Sequence, residues 1–76
     1  MTKDEVSFLT KMMLDELMEF MVTVTPDYKT DMIKMIEKSR DLPFKSLEGD
    51  ELIAEQGDAL VDSNYYALNA AAKCGI

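Results

Sequence analysis

Apolar residues recur every three or four positions along most of this chain, and no stretch reads as a strand. Three helices are predicted. The first runs from about Asp4 to about Val24. Leu9, Met12, Met13, Glu16, Leu17, Glu19 and Phe20 follow its period, and apolar residues dominate that face. Asp4 and Glu5 suit the positive end of the helix dipole. The β-branched run Val22-Thr23-Val24-Thr25 weakens the far end, and Pro26 stops it. Thr25 then reads as the N-cap of a second helix, with Pro26 in its first position and an end near Arg40. Tyr28, Met32, Met35 and Ile36 form its apolar stripe, with Ile33 at the edge. Residues 42–49 read as a loop that pins its apolar side chains to the core. The third helix is predicted from about Asp50 to Lys73, with Gly75 as its C-cap and alanines from Ala67 to Ala72.

With 76 residues the chain has room for one domain, 1–76, and a modest core. The expected architecture is an all-α, three-helix unit that completes its core by self-association, as a homodimer or homotetramer. The seven methionines sit at helical spacing and read as core filling. Cys74 is the only cysteine, so no internal disulfide forms, and a reducing, cytoplasmic setting is expected. The opening residues carry no apolar signal core, and no apolar run is long enough to cross a bilayer. No membrane partner is expected.

Charge narrows the chemistry further. The net charge is −7 and there is no histidine. No basic patch is present to neutralise phosphates, which argues against nucleic acid as a partner. Lys34, Lys38 and Arg40 read as a solvated face that compensates a helix C-terminus. Without histidine or paired cysteines, any metal must be held by oxygen. That favours Mg²⁺, Mn²⁺ or Ca²⁺ over zinc. Residues 41–51 lack the spacing of a calcium-binding EF-hand loop.

The acids are not scattered. Glu16 and Glu19 lie three apart among the apolar residues of the first helix, on the side expected to be buried. On the third helix Glu51, Glu55, Asp58 and Asp62 follow steps of four, three and four, and Tyr65, Tyr66 and Asn69 continue the stripe. Stacked like charges destabilise an isolated helix unless they face water or a cation. Packing of the two helices would bring four or five carboxylates into one cleft, where a divalent cation resolves their repulsion. Taken singly, each pair reads as a solvated helix face.

At these residues the chain resembles the all-α NTP pyrophosphohydrolase superfamily, which includes MazG-like proteins, dimeric dUTPases and phosphoribosyl-ATP pyrophosphohydrolases. Its signature is E-x-x-E on one helix and E-x-x-D on a later one. The first half is similar to Asp15-Glu16-Leu17-Met18-Glu19. The second is similar to Glu55-Gln56-Gly57-Asp58-Ala59-Leu60-Val61-Asp62 and the tyrosines, alanines and Gly75-Ile76 that follow. The resemblance covers the metal-binding middle of that fold, and 35 residues separate its halves, from Phe20 to Ala54. It implies a MazG-like helical bundle in which Glu16, Glu19, Glu55 and Asp58 coordinate Mg²⁺, with Mn²⁺ as a substitute. Asp62 is implied as a catalytic, water-orienting base or a further ligand. The implied reaction cleaves a nucleotide between its α- and β-phosphates and releases pyrophosphate. A non-catalytic helical oligomerisation module that keeps the acidic face is the alternative.

Overall fold

The computed structural model describes all 76 residues. Three helices are present, α1 (Lys3–Met21), α2 (Tyr28–Lys38) and α3 (Gly49–Lys73), and there is no strand. The all-α, three-helix expectation holds at that level. The chain divides into two units, Met1–Asp41 and Leu42–Ile76. No helix is long and apolar enough to cross a membrane.

In the first unit, α1 opens on a capping box. The Glu5 backbone N–H donates to Thr2 Oγ1 at 3.2 Å. The Thr2 backbone N–H donates to Glu5 Oε1 at 3.2 Å, and the Thr2 hydroxyl donates to the same oxygen at 2.9 Å. Two N–H groups that a helix start leaves without partners are thereby satisfied. These bonds from the Thr2 backbone and hydroxyl hold the Glu5 carboxyl below its ordinary pKa. A depressed folded-state pKa favours the folded helix start above the unfolded carboxyl's pKa. That contribution is lost as pH falls through the lower, folded value. Thr2→Ala keeps the backbone N–H bond and removes the hydroxyl one, so it should raise the Glu5 pKa part of the way towards the ordinary carboxylate range in an NMR titration and fray the first turn. An unchanged Glu5 titration would remove the Thr2 hydroxyl as a cause.

α1 stops at Met21, three residues short of the expected Val24. The cause lies in the β-branched run. The Thr23 hydroxyl takes the Phe20 carbonyl at 2.7 Å. The Thr23 and Val24 N–H groups close tighter turns onto Phe20 and Met21. The start of α2 also differs from expectation. Asp27, not Thr25, is the N-cap, and it makes no side-chain cap bond. The Thr25 N–H still finishes the turn of α1 on Met21 at 3.1 Å, which keeps Thr25 with the preceding element. Its hydroxyl donates instead to Asp31 Oδ2 at 2.8 Å, across the turn that contains Pro26. α2 ends at Lys38, before Arg40. Ser39 turns extended there, and its hydroxyl donates to the Met35 carbonyl at 2.9 Å.

α1 and α2 pack on each other through half-buried Met18, Met21, Tyr28 and Met32. An open apolar groove of about 200 Å³ lies along them, lined by Leu14, Met18, Met32, Ile33 and Ile36 with Lys29. Ile33 lines this groove where Met35 was expected, although both side chains remain more than half exposed. No side chain in the chain is fully buried.

In the second unit, residues 42–48 are irregular. Leu42 and Phe44 are 65% and 93% exposed, so this loop does not pin them to a core. α3 is the only helix of its unit. Its 25 residues and alanine-rich end supply the length and propensity that an unsupported helix needs. Its C-terminus follows the sequence reading closely. Gly75 follows the Cys74 cap at φ 82°, a left-handed conformation that glycine adopts without steric cost. The Ile76 N–H then reaches the Ala71 carbonyl at 3.0 Å, and the Gly75 N–H reaches Ala72 at 3.1 Å. These two bonds make a Schellman motif.

Candidate metal-binding carboxylates

The third helix sets its acids by period alone. α3 is unbroken from Gly49 to Lys73, so Glu51, Glu55, Asp58 and Asp62 share one stripe, within about 60° of one another. Cβ atoms three or four apart on such a stripe are about 5–6 Å from each other, close enough for two carboxylates to reach one cation. All four side chains are exposed. Glu55 already has a cationic partner: Lys45 Nζ lies 3.1 Å from its Oε2. The lysine comes from the irregular segment before the helix, and both side chains are about half exposed. A pair of this kind contributes about 0–1 kcal/mol and yields readily to a stronger ligand.

α1 places Glu16 and Glu19 on one continuous helix, as the spacing requires. Their environment differs from the expectation. Both are exposed, and Glu16 lies on the side of α1 that α2 does not cover. Glu19 instead borders a shallow depression of about 230 Å³ with Asp15, Met18, Val22 and Tyr28. Burial within the first unit therefore does not force a counter-ion onto these two acids. Asp15, next to them, is paired with Lys11 at 3.0 Å.

Glu16 and Glu19 belong to the first unit, and Glu55, Asp58 and Asp62 to the second. In neither unit do three or more acidic side chains gather into a group able to hold a metal ion. Each pair by itself supplies two carboxylates, which suits a hard cation that keeps water in its other positions. The donor set is oxygen throughout, and this fits Mg²⁺ or Mn²⁺ in kind.

The stripe beyond the acids is occupied locally. Asn69 Nδ2 donates to the Tyr65 carbonyl at 3.1 Å, so this amide serves its own helix. The Tyr65 and Tyr66 rings meet edge to face with centroids 5.6 Å apart, and both remain exposed. Sequence reasoning missed four pairs of polar side chains. Thr2 with Glu5 and Lys11 with Asp15 could have been found from their i, i+3 and i, i+4 spacing. Lys45 with Glu55 and Thr25 with Asp31 carry no such signal, because each depends on the path of irregular backbone.

No family model, curated protein or solved structure matches this chain.

Proposed function

We propose that this chain is a magnesium-dependent nucleotide pyrophosphohydrolase of the MazG-like kind, acting as a homodimer or homotetramer in the cytoplasm. The observation that carries the reading is the spacing of its acids. Glu16/Glu19 and Glu55/Asp58 each occupy one face of an unbroken helix, and Asp62 follows one turn later. Glu16, Glu19, Glu55 and Asp58 would hold Mg²⁺ or Mn²⁺, and Glu55 would leave Lys45 to do so. The bound metal would supply charge for the phosphates of a nucleotide and acidify a water. Asp62 would orient that water towards the bond between the α- and β-phosphates. A carboxylate stripe without a basic patch also fits a small nucleotide held through its metal better than a polymeric nucleic acid.

A calorimetric titration with Mg²⁺ and Mn²⁺, repeated on Glu16→Gln, tests the site. Binding to the wild type that disappears in the variant is expected. Absence of binding to the wild type would remove the metal from the reading.

The second reading, a non-catalytic helical oligomerisation module, is favoured by one observation. Large apolar side chains on all three helices remain exposed. It requires no change in thermal stability on adding Mg²⁺ and no nucleotide turnover. A Mg²⁺-dependent rise in melting temperature counts against it, because a ligand selective for the native state stabilises by mass action.

A further inference from the structure

Lys45 is the one cation that the second unit places against the acidic stripe of α3. Lys45 and Lys73 are the only cationic side chains of that unit. Lys73 lies in the last turn of α3, about 16 Å along the axis beyond Asp62. Lys45 precedes the helix, on the irregular segment whose half-buried residue is Leu47. Its ammonium meets Glu55 at 3.1 Å and not Glu48, Asp50 or Glu51, which are nearer in sequence. The course of the backbone thus delivers the charge to one of the two proposed metal ligands of this helix. Both partners are about half exposed, so the pair is weak and the lysine is free to exchange it for another.

We propose that Lys45 exchanges partners: it holds Glu55 while the site is free, and it holds the diphosphate end of a bound nucleotide when Glu55 turns to the metal. The direction of the stripe decides which phosphates it meets. Asp62, as the residue that orients the attacking water, marks the side from which water approaches the α-phosphorus. The attacking and leaving oxygens of a phosphoryl transfer lie roughly in line, so the leaving diphosphate points away from Asp62. Glu55 lies about 10 Å from Asp62 towards the start of α3, and Lys45 stands at that end. There the diphosphate would otherwise face Glu51 and Glu55, and like charges set against each other are costly. An ammonium on a flexible four-carbon stem carries three donors and suits phosphate oxygens. Lys45 is therefore a substrate-binding residue as well as the counter-ion of Glu55. This role presupposes the hydrolysis proposed above and adds the residue that holds the leaving group.

Two affinities of Lys45→Gln test the exchange, both measured by calorimetry on the full chain: that for Mg²⁺ alone, and that for inorganic pyrophosphate in saturating Mg²⁺. Circular dichroism checks that each variant keeps its helices. The variant should bind Mg²⁺ about two- to fivefold more tightly, because Glu55 no longer has a competing partner. It should bind pyrophosphate about tenfold or more weakly, because a hydrogen bond from a charged donor is lost. Lys73→Gln makes the same change of net charge in the same unit, farther from the acids than the Debye length, and should leave both affinities within about twofold. Equal effects of the two variants would reduce the result to net charge and overturn the exchange. Tighter Mg²⁺ binding with unchanged pyrophosphate binding would leave Lys45 a counter-ion only, and weaker Mg²⁺ binding would make its pair with Glu55 a part of the metal site; each overturns the exchange. A wild type that binds Mg²⁺ but no pyrophosphate would overturn the role of Lys45 and leave the metal site standing. A wild type that binds no Mg²⁺ would overturn both.

Discussion

Asp58→Asn is expected to lower magnesium-dependent pyrophosphate release about 100-fold or more, the scale on which a group that stabilises transition-state charge acts. The substitution keeps the shape of the side chain and removes its charge. Asp58 is exposed on an unbroken stretch of α3, so no packing changes with it. Its helix neighbours Glu55 and Asp62 carry like charges. Their mutual repulsion on a helix surface is worth about 0.2–0.5 kcal/mol per pair, so the asparagine should leave α3 slightly more stable without metal. Activity and stability therefore move in opposite directions, which a general folding defect does not produce. The measurement is pyrophosphate release from a panel of nucleoside triphosphates, beside a melt with and without Mg²⁺. Equal turnover by the variant and the wild type would take the metal-holding role from this carboxylate. A wild type that turns over no nucleotide would leave the oligomerisation module as the better reading.

The helices were legible because their signals are local. The 3.6-residue period, the acids of the first turn and Gly75 past the end of α3 each act within a few residues; the Thr2 to Glu5 box is as local, but in the sequence reading Glu5 has only a dipole role. Boundaries failed where two local rules competed. At Thr25 a good N-cap residue was still engaged by the last turn of α1, and Pro26 fell in the turn between helices. Burial was less legible than periodicity. The apolar residues around Glu16 give the pattern of a packed face, but period alone does not say what a face packs against. Within α1 that period describes two faces, and α2 covers only the one bearing Leu14 and Met18. The pairing of Lys45 with Glu55 was not legible at all, since ten residues of irregular chain and helix separate them.

Met18→Asp is expected to unfold α2 while α1 and α3 stay helical. α2 has 11 residues, about the length below which an isolated helix is marginal in water. Its only helix neighbour within the first unit is α1, and Met18 is central to that contact. Met18 is half-buried, lines the apolar groove with Met32, Ile33 and Ile36, and also borders the depression beside Tyr28. An aspartate there removes the thioether packing and brings an unpaired charge against apolar side chains. Discounted for half burial, the cost is about 2 kcal/mol. That is enough to outweigh the weak helix propensity of a segment containing Thr30, Asp31 and two isoleucines. α1 keeps its capping box and 19 residues, and α3 does not depend on Met18 within its own unit. Far-UV circular dichroism should therefore lose no more than the share of α2, and amide exchange should become fast from Tyr28 to Lys38. Met35→Asp is the control. It changes the same kind of residue on the same helix, but at an exposed position away from the groove, where substitutions usually cost within about 0.5 kcal/mol. If both variants lose α2 equally, the helix depends on its own sequence and not on the packing of Met18. If neither does, the contact between α1 and α2 is not what keeps α2 folded.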